Sequence, residues 1–293
     1  MNISERLNNA LSESSSAVEE SLGKLPMFIP GQGQAELCRY SLSAGGKRLR
    51  PFLVLQSCTA IGGCSEKAVH AACAVEMIHT YSLIHDDLPG MDDDDTRRGK
   101  PSLHMLCGTE KALFAGDRLM LEAFRELLRT PLPESVVKAM LQKLVHAAGA
   151  SFLTGGQFMD MYHPPVADRS WTMRMIAGKT AAMIRVSLEL GSMAAGFSGA
   201  LLSSLSSIGD EIGQLFQLTD DILDVIGTPE EMGKAVDKDA RKGKWNPVSD
   251  LGIQGARSLA RQKADSVIRS LQELPGNWLV ISELIEHLPE RRK

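Results

Sequence analysis

The chain has 293 residues, of which 43% are hydrophobic and 23% are charged, a composition typical of a globular protein. Its formal net charge of −4 excludes a global basic field, so we expect no nucleic-acid partner, and an anionic ligand needs a local site. The five cysteines form no C-x-x-C pair and no apolar signal segment opens the chain, which indicates reduced thiols in a cytoplasmic protein.

Helical periodicity dominates along the chain. Apolar residues recur at helical spacing in residues 74–87, 111–128, 134–148, 180–191, 208–226 and 256–274. The uncharged stretch 190–209 is half Gly or Ser, so it predicts a helix end, a loop and a helix start rather than a membrane span. We therefore predict an all-α fold, a single large helical bundle of about ten or more helices that occupies residues 1–293 as one domain.

Six aspartates fall within residues 86–95. Asp86 and Asp87 end an apolar helix, Pro89 and Gly90 break it, and four more aspartates follow. Like charges this close raise one another's pKa unless a cation lies between them. Taken alone, such a run more often forms a solvated loop.

A second acidic cluster lies in "QLTDDILDV", residues 217–225. Asp220 and Asp224 are four residues apart on a predicted apolar helix, so both carboxylates leave the same face. Two such clusters on apolar helices favour a cage of hard oxygen ligands for Mg²⁺, completed by substrate phosphates. The spacing does not fit an EF-hand loop.

Basic residues accompany both clusters and extend beyond them. In chain order they are Lys47, Arg48, Arg50, Arg97, Arg98, Lys179, Lys234 and Lys244. The first three follow Gly45-Gly46, where a helix is predicted to begin. Each alone is typical of a surface cation, but together they could bind one diphosphate directly while the aspartates bind another through metal ions. Two anionic sites in one cavity imply two phosphorylated substrates.

With these motifs the sequence resembles the bacterial short-chain all-trans prenyl diphosphate synthases, most of all those that make a C15 product. The resemblance extends from residue 45 to residue 244 and is carried, in order, by "GGKRLRP", "SLIHDDLPGMDDDDTRRGKP", "LFAGDRLMLEAF", "GGQFMDM", "GKTAAMIR", "FQLTDDILDV" and "GKAVDKDARKGK". It implies a helical bundle around one central cavity, a homodimer, and Mg²⁺-dependent condensation of isopentenyl diphosphate with dimethylallyl and geranyl diphosphates to farnesyl diphosphate.

The resemblance also implies roles for individual residues. Three Mg²⁺ ions per active site would be held by Asp86, Asp87, Asp92, Asp220 and Asp224. Isopentenyl diphosphate would be held by Lys47, Arg50, His79 and Arg98. The allylic diphosphate would be held by Arg97, Lys179, Thr180, Gln217, Lys234 and Lys244. The residues expected to act in catalysis are Asp86, Asp92, Arg97, Lys179, Asp220 and Lys234.

Three expectations have alternatives. His79 is either a ligand, since it lies on the face of Asp86, or a half-buried helix histidine. Tyr81, beside the small Ser82, is either the floor that limits product length, roughly 7 to 8 Å along the helix from Asp86, or a core tyrosine bonded elsewhere. The terminal "PERRK" either folds over the isopentenyl site or is a frayed basic tail.

The sequence departs from the family pattern near its end. Asp237 stands where the family has Gly, Asn246 where it has Thr, and Pro247 arrives one position early. Thr219 replaces the usual Gln before Asp220. An added carboxylate such as Asp237 should weaken anion binding.

Three other functions compete with a C15-forming synthase. A synthase that makes geranylgeranyl diphosphate shares all of these motifs. A cyclising terpene synthase needs no isopentenyl site, so Lys47 and Arg50 argue against it. A non-catalytic partner subunit often lacks an aspartate motif, whereas this chain has both.

Overall fold

The computed structural model describes residues 4–25, 33–226 and 245–291. Its α-helices are α1 Glu5–Gly23, α2 Gly33–Leu42, α3 Leu49–Ala60, α4 Val69–Asp86, α5 Leu103–Cys107, α6 Thr109–Leu127, α7 Glu134–Ala148, α8 Leu153–Met161, α9 Arg169–Ile176, α10 Ala182–Ala194, α11 Gly199–Ile226, α12 Pro247–Gln272 and α13 Leu279–His287. Two 3₁₀ turns, Ser65–Lys67 and Leu288–Glu290, and a π turn, Ala177–Ala181, complete the helical segments. The predicted all-α fold is confirmed.

The helical segments predicted from periodicity all form helices. The segment 134–148 corresponds to α7 at both ends, and 74–87 lies within α4 and its C-cap. The stretch 190–209 contains the end of α10, a short connection and the start of α11, as predicted. No helix within the described ranges is both long and apolar enough to cross a bilayer.

The core consists of two hydrophobic clusters that share α3 and α10. Val54 and Met183 belong to one cluster, while their helix neighbours Leu53 and Ile184 belong to the other. Helix α4 is buried around most of its circumference, because small and apolar side chains fill nearly every position from Ala71 to Ile78. Its C-terminal half therefore carries Tyr81 and Asp86 to the apolar cavity inside the bundle.

A short antiparallel hairpin follows the aspartate run. Strand β1, Thr96–Arg97, pairs with β2, Lys100–Pro101. The turn between them places Arg98 in the left-handed region at φ 54° and Gly99 at φ 73°. Strands of two residues are too short to show alternation in the sequence, so helical periodicity gave no signal for this hairpin.

Three of the departures from the family pattern have a local structural role. Asn246 caps α12, since its side-chain oxygen accepts a hydrogen bond from the Val248 amide at 2.6 Å, and Pro247 takes the first helical position, where no amide donor is needed. Thr219 is buried and its hydroxyl donates to the Phe216 carbonyl at 2.8 Å. Asp237 lies outside the described residues.

Candidate active site

A basic cavity of about 520 Å³ lies between the start of α3, the middle of α4 and the C-terminal residues. The cationic side chains among its lining residues are Lys47, Arg48, Arg50, Arg98 and Arg291. Burial lowers the pKa of Lys47, and the nearby Arg291 lowers it further. The charge of Asp220 opposes this change, and the concentration of cationic side chains around the cavity suits an anionic ligand.

An apolar cavity of about 370 Å³ lies between α4, α8 and the start of α10. Its lining combines the charged Asp86 and Lys179 with the apolar Leu153, Met161 and Met183. A site with few charged groups on an otherwise apolar wall is typical of a pocket for an amphipathic small molecule.

The two cavities adjoin, because Arg50 and His79 line both of them. His79 Nε2 lies 3.4 Å from Arg50 Nη1. A guanidinium can only donate, so Nε2 is the acceptor and the ring proton is on Nδ1. Burial, and then the positive charges of Arg50 and Arg98, hold the pKa of His79 well below its usual range, so the imidazole is neutral at pH 7. The structure thus places His79 in the wall between the cavities.

The first acidic motif folds back on itself at the edge of the apolar cavity. The Asp92 amide donates to the Asp86 carbonyl at 2.8 Å, which brings the two aspartates together after the Pro89-Gly90 break. Burial raises the pKa of Asp86 to about 6, and Asp92 adds to that effect while Lys179 opposes it. A buried carboxylate beside a second one favours the binding of a cation.

The side chain of Asp87 has different contacts from that of Asp86. Its side chain is buried, accepts a hydrogen bond from Arg97 Nε at 2.9 Å and forms an ion pair with Arg97 Nη2. Burial would lower the pKa of Arg97, but Asp87 and Asp94 together raise it. Asp87, expected as a metal ligand, and Arg97, expected at the allylic site, do not line the apolar cavity, unlike Asp86 and Lys179.

The π turn between α9 and α10 presents Lys179 and Thr180 to the apolar cavity. Lys179 Nζ forms an ion pair with Asp160 of α8 at 2.6 Å. A side chain on Gly156 would lie 2.2 Å from the Lys179 backbone nitrogen, so only glycine lets α8 approach this closely. Next to it, Gln157 lines the cavity, and both of its side-chain amide atoms are buried without a hydrogen-bond partner among the described residues.

The second acidic motif lies on α11, directly after Phe216, which lines the basic cavity. The Thr180 hydroxyl donates to Gln217 Oε1 at 3.0 Å, and Gln217 Nε2 donates to Asp221 at 2.9 Å. Asp220 forms an ion pair with Arg291 Nη2, and Arg291 also lies over the Phe216 ring at 4.3 Å. The C-terminal segment as far as Arg291 therefore contributes to the wall of the basic cavity.

The predicted carboxylate cage is not assembled in the structure. Among the described residues, no three His, Cys, Asp or Glu side chains come close enough to hold a metal ion by themselves. Asp86 lies beside Lys179, Asp220 lies beside Arg291, and Asp224 is half-buried further along α11. Lys234 and Lys244, predicted to bind the allylic substrate, lie outside the described residues.

Three residues of the site were missed in the sequence. Glu76 is buried under the basic cavity, Asp160 pairs with Lys179, and Gln157 has a buried amide without a partner. Glu76 did carry a signal, since it is a carboxylate inside the apolar run from Ala71 to Ile78, the same feature that singled out Asp220. Gln157 and Asp160 lie in the motif "GGQFMD", which supports the resemblance as a whole but does not by itself indicate a role for either residue.

Solved structures with the same fold define the class of protein. Geranylgeranyl pyrophosphate synthetase from Pyrococcus horikoshii superposes with a TM-score of 0.87 at 30% identity, and the alignment covers 98% of this chain and 99% of that one. The molecule therefore has the all-helical fold of the isoprenyl diphosphate synthases.

The chain belongs to the polyprenyl synthetase family, whose model matches residues 32–274. Farnesyl diphosphate synthase from Micrococcus luteus is 37% identical over 281 residues, covering 94% of this chain and 95% of the relative. Geranylgeranyl diphosphate synthase from Cyanophora paradoxa is 39% identical over 254 residues, covering 83% of each. The resemblance stated from the motifs is confirmed.

Proposed function

We propose that the chain is a prenyltransferase that joins isopentenyl diphosphate head to tail with dimethylallyl and geranyl diphosphates and releases farnesyl diphosphate. The observation that carries this proposal is the pair of adjoining cavities that share Arg50 and His79. One cavity is basic and suits a diphosphate, while the other joins charged groups to an apolar wall that suits a hydrocarbon tail. Two substrates placed in them would meet at the shared wall.

The isopentenyl diphosphate site is the basic cavity. The proposed contacts are Lys47, Arg50, His79 and Arg98, and Arg291 joins them from the C-terminal segment. Neutral His79 donates from Nδ1, while the lysine and arginines supply positive charge. The allylic diphosphate is proposed to bind at Lys179, Thr180 and Gln217, with Arg97, Lys234 and Lys244 assigned to it from the resemblance.

Mg²⁺ fits the carboxylates that the chain provides. Burial and the neighbouring Asp92 raise the pKa of Asp86, so a cation beside these oxygens would be stabilised, and hard oxygen donors are the ligands that Mg²⁺ prefers. We propose that Asp86, Asp87 and Asp92 hold ions on one side and that Asp220 and Asp224 hold one on the other, three in all. Bound there, Mg²⁺ supplies Lewis-acid stabilisation of negative charge on the departing diphosphate.

The chain's own groups account for the remaining steps. The Lys179 ammonium, held by Asp160, is placed to stabilise the departing diphosphate. The apolar side chains of Leu153, Met161 and Met183 exclude water that would otherwise capture the allylic cation. The isopentenyl double bond attacks that cation, and the departed diphosphate takes a proton from the resulting tertiary cation, which leaves the product with a new double bond.

We propose that Tyr81 limits the product to C15. Its buried ring lines the apolar cavity with Ser82, its hydroxyl bonds with Thr154, and its ring packs edge-on against His85 with centroids 5.6 Å apart. Contacts on both sides hold the ring in place as a wall against a growing tail. Geranylgeranyl diphosphate is the alternative product, because relatives named for it are as similar as those named for farnesyl diphosphate.

We propose that the chain acts as a homodimer. The exposed apolar side chains of α5 and α6 are Met105, Leu106, Leu113, Phe114, Leu121 and Leu128. Exposed apolar side chains in this number usually mark an interface, and the resemblance assigns a second copy as the partner. Sedimentation should give twice the monomer mass, and Leu121→Glu should shift it toward the monomer.

We propose that residues 1–293 act as one domain in the cytoplasm. The single domain is supported by α3 and α10, which contribute to both hydrophobic clusters. The location is supported by the five cysteines, all of which are free thiols.

A substrate-omission assay tests the proposed reaction. Diphosphate release should require isopentenyl diphosphate, dimethylallyl diphosphate and Mg²⁺ together. Release from geranyl or farnesyl diphosphate without isopentenyl diphosphate would identify a cyclising terpene synthase. No release under any combination would contradict the prenyltransferase and favour a non-catalytic partner subunit.

A further inference from the structure

The loop between α2 and α3, residues 43–48, carries Lys47 into the basic cavity in an unusual backbone conformation. Gly45 has φ 83° and Gly46 has φ 121°. Arg48 has φ 46° and ψ 36°, the left-handed region, which a residue with a long side chain rarely adopts. Such a conformation persists only where the surroundings hold it.

The contacts of the Arg48 side chain stabilise this backbone conformation. It is 2% exposed, and its Nη1 lies 2.5 Å from Glu76 Oε1 of α4. Nη2 donates to the carbonyl of Leu42, the last residue of α2, and Nε lies 3.7 Å from Glu19 Oε1 of α1. The planar guanidinium of Arg48, with its several N–H donors, therefore connects the loop to α1, α2 and α4.

Glu76 connects the Arg48 ion pair to the basic cavity. It is 1% exposed and lies one turn before His79 on the same face of α4. Burial lowers the pKa of Arg50 and Arg98, and the charge of Glu76 opposes the change in both. Within the described part of the chain, Glu76 is the one carboxylate among the lining residues of the basic cavity.

We propose that Arg48 and Glu76 are positioning residues for isopentenyl diphosphate. Their ion pair fixes the loop so that Lys47 and Arg50 face the basic cavity, and the negative charge of Glu76 partly offsets the repulsion among the neighbouring guanidinium groups. Because its Nη groups are committed to Glu76 and Leu42, Arg48 acts through its neighbours in the chain and leaves the diphosphate to them. This inference rests on the proposed assignment of the basic cavity to isopentenyl diphosphate.

Arg48→Lys is the first test, since it keeps the charge but removes the planar fork. Misplacement of Lys47 and Arg50 should raise the KM for isopentenyl diphosphate by about tenfold to a hundredfold. The KM for the allylic substrate should stay within about twofold, because Lys179 and Thr180 lie on a different element. An unchanged KM for isopentenyl diphosphate would overturn the proposal.

The double variant Arg48→Met, Glu76→Leu separates positioning from plain stabilisation. Replacement of a buried ion pair by apolar residues of similar volume often leaves a fold stable. We expect thermal unfolding close to that of the natural chain together with a raised KM for isopentenyl diphosphate. If the double variant has both the stability and the KM for isopentenyl diphosphate of the natural chain, the ion pair is merely structural and the proposal is overturned.

A buried carboxylate elsewhere provides the matched control. Glu126 is 3% exposed, pairs with His70 at 2.6 Å and with Arg129 at 2.9 Å, and lines neither cavity. Glu126→Gln should lower stability with no selective change in either KM. If the natural chain itself does not condense the two substrates, the proposed function and this inference both fail. If it does, and both Arg48 variants keep the KM for isopentenyl diphosphate, this inference alone fails.

Discussion

Arg97 and Arg98 are neighbours in the chain but contact different parts of the site. Arg97 forms its ion pair with the buried Asp87, whereas Arg98 donates to the Gly45 carbonyl and lines the basic cavity. The left-handed backbone at Arg98 sends the two side chains apart. Their effects on the two substrates should therefore differ.

Arg98→Ala should raise the KM for isopentenyl diphosphate by about tenfold to a hundredfold, the effect expected from the loss of one charged hydrogen bond. Arg97→Ala should act chiefly on the allylic substrate, and should also lower the melting temperature because Asp87 loses its counter-charge. Initial rates with each substrate varied in turn measure both constants. Identical kinetic profiles for the two variants would contradict separate sites.

His79 gives a prediction for pH. Its pKa in the folded chain lies well below the ordinary value, so in acid the unfolded chain binds a proton that the folded chain does not. Stability is therefore lost as pH falls below about 6.5, by up to about 1.4 kcal/mol per pH unit.

Urea denaturation at pH 7 and pH 5 should show that His79→Gln loses less stability than the natural chain, with a difference of about 1 to 2 kcal/mol. His163→Gln, outside both cavities, is the control and should behave as the natural chain does. Equal losses in all three proteins would mean that His79 is charged at pH 5 at no cost to the fold.

At the level of single residues, local spacing predicted which side chains share a face of one helix. It did not predict the ion pairs between side chains of different segments. Asp220 and Asp224 share a face because they are four residues apart. The ion pair between Asp220 and Arg291 joins residues 71 apart, and that between Arg48 and Glu76 joins residues 28 apart. No local pattern specifies such pairs, since they depend on how the helices pack.

At the level of elements, α4 links the two cavities and the product wall. Within about three turns it carries Glu76 and His79 to the basic cavity and Tyr81 and Asp86 to the apolar cavity. The periodicity of α4 was readable in the sequence. The π turn at Ala177–Ala181 was not, because one wider turn within a helical run leaves the apolar pattern almost unchanged.

Tyr81→Ala should remove the wall and shift the product from C15 to C20 or longer, with little change in metal dependence. Tyr81→Phe is the matched control, because it keeps the ring and loses only the bond with Thr154, and it should still stop at C15. Mass spectrometry of the dephosphorylated products measures the lengths. A Tyr81→Ala enzyme that stops at C15 would show that another residue limits the tail.

At the level of the whole molecule, the fold is maintained by packing rather than by metal. Both hydrophobic clusters are built from apolar side chains of the helices, and the acidic motifs lie at their edges. This division predicts that activity and fold respond differently to a chelator.

EDTA should abolish turnover while the helical signal in circular dichroism stays unchanged, and Mg²⁺ or Mn²⁺ should restore activity. Without a cation, two diphosphates in adjoining cavities repel each other and the leaving group is not stabilised. Turnover in excess chelator would contradict the metal site. A loss of helical signal would make the metal part of the fold.

The central claim is that the two adjoining cavities bring an allylic diphosphate and isopentenyl diphosphate together and stop chain growth at C15. The most direct measurement is the mass of the product formed from dimethylallyl diphosphate, excess isopentenyl diphosphate and Mg²⁺. We predict farnesyl diphosphate as the main product. A failure to form any condensed product, or a product mixture dominated by C20, would contradict the account.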